Sequence, residues 1–478
     1  MNEKLTTVKE NRGKVYEFKI DRPLSEEEKR GRAILRRLQK EGFESYFVGG
    51  GVRDELMGNP AHDIDIATAA KPEEIEEIFP RAYDRGKQFG VMAVQSKNFE
   101  FEIATFRTDI GIADHRRPKK IEFTSPEADA QRRDFTINGL FYDIEKGQII
   151  DFVGGVEDLK KKVIGFIGSP QERIEEDYLR MLRAVRFANR FEFEIDEGSS
   201  AAIKAETAKI TQVSAERIHE ELSKMLLHKN RASALEMLSE FGLLKYILPE
   251  AEAMKGVEQP PEFHSEGDVW THTMMALKNL PEDSSLELAW AVLLHDIAKP
   301  ETKGERDHPK SKITFFEHDV LSAKKAKKIL ARLKYSNDFI DDVCWSISQH
   351  MRIINAFREG DQQMSERKQT KLFLDPRIDI LLAETRADLL ASIRPDGTSD
   401  LKVYQDALER KKYFENKPQL EKEQVKKFDL ITGKDIMEIL KIESGPKVGE
   451  IKRKIEEAFL EGKISKRDEA LKMIKENG

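Results

Sequence analysis

A chain of 478 residues and 55.0 kDa is too long for one ordinary hydrophobic core and points to three or four packed units. Hydrophobic residues at 39% and charged residues at 35%, with 81 Lys+Arg against 88 Asp+Glu, exclude a disordered or fibrous chain. The longest apolar run, 288–294, is far shorter than the roughly 20 residues a membrane span requires, and the lone Cys344 excludes a disulfide framework or a Cys-rich zinc module. No apolar segment follows Met1, so a cytoplasmic protein without membrane contact is the expectation. Residues 401–478 carry 19 Lys/Arg and 16 Asp/Glu, a weakly basic tail on an acidic body with a total charge of −7.

In chain order, residues 1–22 are polar and read as a loosely held extension. Residues 24–38 read as a helix, with Ser25 and Glu28 in capping-box spacing and Ile34, Leu35 and Leu38 at helical period. Short β-rich runs follow at 46–48, 64–66, 91–94, 101–106 and 149–153, separated by Gly, Pro and charged turns. Beyond Gly155 only helices are expected, at 172–190, 214–227, 231–241, 287–296, 320–333 and 337–350. Joints are placed at Pro260-Pro261 and at 394–400. The fold class is α+β, a small mixed-sheet head followed by a long all-α body.

In the head, Gly49-Gly50-Gly51 precedes Arg53, and Asp63-Ile64-Asp65 follows. Glycines admit a phosphate close to backbone N–H groups, and Arg53 can supply a cation to the same phosphates. Asp63 and Asp65 are two apart, so on a strand both carboxylates share a face. Such a pair repels itself unless a divalent cation lies between, and all-oxygen ligands suit Mg²⁺. Glu102 on a neighbouring strand would complete a two-metal site.

These residues, Gly49 to Asp54 with Asp63-Ile64-Asp65, resemble the head of the class II tRNA nucleotidyltransferases, the CCA-adding enzymes and bacterial poly(A) polymerases. Arg132-Arg133-Asp134-Phe135-Thr136-Ile137-Asn138 resembles the ribose-reading motif of that family, with Gly139 where Ala is expected. The stretch from Glu176-Asp177 through Arg180, Arg183 and Arg186 resembles its nucleotide-selecting helix, and Ser214-Ala215-Glu216-Arg217-Ile218 its next neck motif. The resemblance implies that Gly50, Arg53, Arg133 and Asp134 bind nucleotide. It implies further that Asp177 and Arg180 read the base and that Arg183 and Arg186 reach the triphosphate. On one helix, Asp177 and Arg180 would share a face and present a single hydrogen-bond pattern to cytosine and adenine. An ordinary surface ion pair is the alternative for those two residues. The cationic run His115-Arg116-Arg117-Pro118-Lys119-Lys120 reads either as a mobile clamp or as a solvated loop.

The helical body holds His272, His295-Asp296, His318, His350 and Asp388. An adjacent His-Asp pair in an apolar helix is costly to bury without a metal. The order resembles the HD phosphohydrolase superfamily, which implies a divalent metal of unassigned identity on His272, His295, Asp296 and Asp388, with His318 and His350 at second-metal positions. The tail motifs at 430–435 and 445–449 resemble the tail of CCA-adding enzymes and imply tRNA contact.

The resulting domain plan is extension 1–22, head 23–155, neck 156–258, HD domain 259–395 and tail 396–478. The expected activity is addition of CCA to tRNA from CTP and ATP, with phosphohydrolysis of 3′ ends at the HD site and no DNA partner. The alternatives are A-only or poly(A) addition, or a chain whose main activity is the HD phosphohydrolase.

Overall fold

The computed structural model describes residues 7–9, 13–61, 64–113, 117–305, 313–357, 364, 366–416, 431–443, 445–460 and 463–477. The chain forms two compact units, one of Met1–Met225 with Ser233–Ile247 and one of Leu226–Ala232 with Leu248–Gly478.

Up to Asp151 the strands of the first unit are β1 (Thr7–Lys9), β2 (Lys14–Glu17), β3 (Ser45–Val48), β4 (Asp65–Thr68), β5 (Ala82–Gly86), β6 (Val91–Ser96), β7 (Phe99–Thr105), β8 (Arg107–Ala113), β9 (Arg117–Phe123), β10 (Leu140–Asp143) and β11 (Gln148–Asp151). All but β8 and β9 join one mixed sheet in the order β1-β2-β11-β10-β3-β4-β7-β6-β5. Strands β4 and β7 are parallel, and their register sets Asp65 beside Glu102. Side chains opposite one another in register share a face, so these two carboxylates project together while the next pair, Ile66 and Ile103, is fully buried.

Four expectations change at this level. Residues 14–18 are not a loose extension: β2 pairs with β11, and Val15, Tyr16 and Phe18 are buried. With Val15 alone on one face and Tyr16 and Phe18 on the other, the apolar positions are too few to register as periodicity. The cationic segment is not all loop, because β8 and β9 pair antiparallel and β9 takes in Arg117, Pro118, Lys119 and Lys120. Residues 114–116, His115 and Arg116 among them, lie outside the described residues. Strands also exist beyond Gly155: Val163–Ile164 pairs with Glu194–Ile195, and Lys303–Glu305 with Ile313–Phe315. Runs of two or three residues leave no alternation to read.

The fourth change concerns the helix expected at 172–190. It is two helices, Pro170–Glu176 and Arg180–Phe191, broken at Asp177, which has φ −155° and ψ 103°. The Asp177 carboxylate accepts the N–H of Leu179 at 3.1 Å. That side-chain-to-backbone bond competes with helical pairing at the break, and the next helix begins at Arg180 with Leu179 as its N-cap. The first helix of the chain spans Glu26–Lys40, with the capping box between Ser25 and Glu28 in place and Ile34, Leu35 and Leu38 buried.

In the second unit, helices Val269–Lys278, Leu286–Leu294, His318–Arg332, Asn337–Phe357 and Ile378–Ala391 carry the histidines and Asp388. The Leu286–Leu294 helix stops before Asp296, so His295 sits at its C-cap rather than on its face. Helices Gly433–Leu440, Pro446–Leu460 and Arg467–Asn477 pack around Ile436, Ile455 and Ile474. Among the described residues, no helix is long and apolar enough to cross a membrane.

Candidate active sites

The head site is built where β3 runs into the helix Gly50–Leu56. Gly49 at the junction has φ 74° and ψ −140°, a conformation open to glycine and strained for other residues. A Cβ placed there would lie 3.4 Å from both Asp65 Oδ2 and Arg133 Nη1. Gly49 therefore keeps open the space between a carboxylate and a guanidinium. Glu102 stands beside Asp65 through the β4–β7 register, whereas Asp63 lies outside the described residues. Asp65 beside the cradle, with Glu102 in register on the next strand, is an all-oxygen set that fits a hard divalent cation.

Arg53 occupies a different place from the one its motif suggests. It is buried, donates to Asn138 Oδ1 at 2.6 Å and Asp54 Oδ1 at 2.8 Å, and lies over the Phe191 ring at 4.6 Å. Burial pushes its pKa down against the pull of Asp54. Enclosed this way, it braces the site instead of offering a free cation to phosphate. Asn138 passes the bracing on: its Nδ2 donates to Asp134 Oδ1 at 3.0 Å. Arg183 then donates to Asp134 Oδ2 at 2.6 and 2.9 Å. Burial alone would raise the Asp134 pKa, but the Arg183 charge and these bonds hold it below the usual carboxylate value. Arg133 is anchored on Asp129, a fully buried carboxylate, at 3.1 Å.

The residues expected to select the nucleotide are likewise held by partners. Asp177 accepts two bonds from Arg217, at 3.0 and 2.7 Å, and Arg180 donates to Glu176 at 2.6 Å and to the Arg173 carbonyl at 2.9 Å. Asp177 and Arg180 flank a helix break rather than sharing one helical face. Arg186 donates to Glu221 at 2.6 Å and covers the Phe187 ring at 4.1 Å, so neither it nor Arg183 extends freely.

In the second unit the six expected residues converge. His272 Nε2 lies 3.0 Å from Asp388 Oδ1 and 3.9 Å from Asp296 Oδ2. His295 Nε2 is 3.2 Å from Asp296 Oδ2, and His318 Nε2 is 3.3 Å from Asp296 Oδ1 and 3.2 Å from His350 Nε2. Each ring is oriented through its other nitrogen: His295 on the Val292 carbonyl, His318 on that of Phe315, His350 on that of Ile347, and His272 on the Glu266 carboxylate. Such outer partners fix the ring nitrogen presented to a metal.

Burial opposes a charge on His295, yet Asp296 beside it raises the pKa to about 9. Burial and the neighbouring His318 and His295 charges push His350 down to about 4. His272 Nε2, His295 Nε2 and both Asp296 oxygens are buried without a well-aligned hydrogen bond. Two overlapping ligand groups, His272-His295-Asp296 and Asp296-His318-His350, share Asp296. Imidazole and carboxylate donors with unsatisfied atoms fit one or two divalent metals.

Three family models match along the chain: the poly A polymerase head domain at 45–165, a probable RNA- and SrmB-binding site of polymerase A at 192–255, and the HD domain at 266–376. The chain is 32% identical to the CCA-adding enzyme of Enterococcus faecalis, over 92% of this chain and 93% of that protein. It belongs to the CCA-adding enzyme family. A counterpart from Streptococcus uberis is 31% identical over 90% of this chain and 92% of its own. That of Ligilactobacillus salivarius is 42% identical over 52% of this chain, and the match spans 63% of the relative. Among solved structures, the Bacillus stearothermophilus CCA-adding enzyme in complex with CTP superposes with a TM-score of 0.61 at 25% identity, over 95% of this chain and 98% of that one.

This family member departs from the expected Ala at Gly139, and the packing explains it. A Cβ there would meet Val153 Cγ2 at 2.7 Å and Ile167 Cδ1 at 3.2 Å, so Val153 already fills the methyl's space. Sequence reasoning passed over Asn138, Arg217, Glu221, Asp129, Glu266, Glu384 and Lys299 as site residues. Lys299 was the most accessible of these, three residues after Asp296; its ammonium lies 2.7 Å from Asp296 Oδ2 and 2.7 Å from Gln259 Oε1. Glu384 is fully buried and bonded to Ser346, and burial raises its pKa to about 7.

Proposed function

We propose that this chain adds cytidine and adenosine residues to the 3′ end of tRNA from CTP and ATP, with release of pyrophosphate. The observation that carries the reading is Asp65 beside the Gly49 cradle and in register with Glu102, in a chain of the CCA-adding enzyme family. Asp63 and Asp65 would hold Mg²⁺, which supplies charge neutralisation at the triphosphate when bound. Glu102 accepts the proton of the tRNA 3′-hydroxyl as that oxygen attacks the α-phosphate. Arg133 and Asp134 engage the ribose, favouring ribonucleotides.

Asp177 accepts from the exocyclic amine of cytosine or adenine while Arg180 donates to ring acceptors. Guanine and uracil offer no amine at the matching place. The Arg217 and Glu176 contacts keep both readers in fixed orientations, which is what discrimination by hydrogen bonding requires. The tail would contact tRNA.

The deciding experiment incubates the purified protein with tRNA transcripts ending before CCA, together with CTP, ATP and Mg²⁺, and sequences the ends. Products that end in CCA support the reading. Addition of a single A only to CC-ended tRNA would assign an A-adding enzyme, and a long A tail a poly(A) polymerase.

A second reading rests on the histidine cluster with its unsatisfied Nε2 atoms. His272, His295, Asp296 and Asp388 would hold one divalent metal, and His318 and His350 would help to hold another. Such a metal supplies Lewis-acid polarisation of a phosphoester when bound. The buried Lys299 ammonium would neutralise phosphoryl charge, and the substrate would be a phosphorylated RNA 3′ end.

A further inference from the structure

His264 belongs to neither metal-type group around Asp296, yet it lines the same cleft, together with Lys299, Phe263, Phe315 and Ile354. A tight turn sets its backbone: the N–H groups of Phe263 and His264 both bond the Pro260 carbonyl, at 3.0 and 2.9 Å. Its Nδ1 lies 2.7 Å from Glu266 Oε1, the oxygen that also receives His272 Nδ1 at 2.8 Å. Glu266 is itself immobilised. Its Oε2 accepts the Ile393 N–H at 3.0 Å, and the adjacent Ser265 N–H bonds the Ile393 carbonyl at 2.7 Å. One buried carboxylate therefore orients two imidazoles, of which His272 turns to the metal-type cluster and His264 to the cleft.

The tautomer follows from that arrangement. With Nδ1–H committed to Glu266, a neutral His264 carries no proton on Nε2, so this atom is an acceptor. Nε2 has no partner among the described residues. An acceptor in a cleft that also holds the Lys299 ammonium calls for a ligand with an anionic group and a hydrogen-bond donor close beside it. A phosphate on one hydroxyl of a ribose, with the vicinal hydroxyl free, has that pair of groups on adjacent carbons.

We propose that His264 is a substrate-reading residue of the second site, where its Nε2 accepts a hydrogen bond from the free ribose hydroxyl next to a phosphomonoester at an RNA end. The proposal rests on the phosphohydrolase reading of the histidine cluster. In the reaction, water adds to phosphorus and the bond from phosphorus to the ribose oxygen breaks. A proton from water passes to that oxygen, and inorganic phosphate leaves. The vicinal hydroxyl is read and not consumed.

The test compares adenosine 3′-phosphate with 2′-deoxyadenosine 3′-phosphate on the full chain loaded with Mn²⁺, measuring both hydrolysis and equilibrium binding. Wild-type protein is expected to favour the ribose ester by about tenfold, the scale of one lost hydrogen bond in a polar site. His264→Ala should remove that preference by weakening use of the ribose ester alone, with Mn²⁺ bound per chain unchanged. His264→Gln, which keeps an acceptor, should restore part of it. Equal treatment of the two esters by wild-type protein overturns the proposal, as does an equal loss on both esters in His264→Ala. If wild-type protein hydrolyses neither ester, the phosphohydrolase reading fails separately. The binding preference then decides the role of His264, and its absence overturns that role.

Discussion

Arg217 holds Asp177 with two parallel bonds of 3.0 and 2.7 Å, joining residues forty positions apart in the chain at the break between two helices. A bidentate guanidinium–carboxylate pair fixes the plane of the carboxylate as well as its position. An acid that reads a base by one hydrogen bond needs that fixed plane. Arg217→Lys retains the charge but loses the fork. The variant should incorporate CTP and ATP about 10- to 100-fold less efficiently, the range for losing a bond to a charged group, and should discriminate less well against UTP. Single-turnover incorporation with each of the four nucleotides checks this, and unchanged discrimination would count against the reading of Asp177.

Asp134 gives the first unit an acid-sensitive element. Burial works to raise its pKa, but Arg183, Asn138 and the Phe135 N–H lower it below the ordinary value of 3.8. A carboxyl depressed in the folded state contributes stability that is present above its unfolded pKa and lost as pH falls through the folded one. The contribution of Asp134 should therefore be intact at pH 5 and disappear below about pH 4. Arg183→Met should cost about 1–3 kcal/mol at neutral pH by leaving the acid without its main partner. It should also flatten the acid limb. Urea unfolding at pH 7, 5, 4 and 3 for both proteins measures each effect.

What the sequence revealed here follows the range of its signals. Asp65 and Glu102 were accessible because an acid inside a short apolar run is unusual, and the strands then bring them into register. The six HD-type residues stood out because histidine and aspartate on apolar helices need a reason to be there. The partners were not accessible. Arg217 stands in the neck motif that carries the resemblance, but its pairing with Asp177 is assembled by the fold, as are those of Glu221 with Arg186 and Glu266 with His264. These two acids each look alone like one more charged residue in a chain with 35% of them. The break at Asp177 was hidden for the same reason, since Asp in a run of helix formers costs only a few tenths of a kcal/mol until its side chain finds a better partner. Strand β2 was missed because its four residues carry too little alternation, although Val15 and Tyr16 are buried.

Gly139 offers a test of packing rather than chemistry. Gly139→Ala would force a methyl to within 2.7 Å of Val153 Cγ2 and should destabilise the first unit by about 1–3 kcal/mol. Val153→Ala removes the obstructing methyl. The double variant should therefore be more stable than the sum of the two single losses, a coupling readable from a denaturation cycle. Strict additivity would mean that the site relaxes in some other direction.

The two clusters can be separated by substitution, because they lie in different compact units and share no residue. Asp65→Asn removes a carboxylate charge from the head while keeping its size, and should lower CCA addition by about 100-fold or more, the scale of losing a preorganised electrostatic group. Hydrolysis of a nucleoside 3′-phosphate in Mn²⁺ should be unchanged in that variant. His295→Gln should do the reverse, abolishing hydrolysis and leaving tRNA extension at the wild-type level. Metal content sharpens the comparison, since only His295→Gln removes an imidazole from the Asp296-centred cluster. Loss of both activities in either variant would show that the activities depend on each other. Extension that survives Asp65→Asn would remove the head assignment itself.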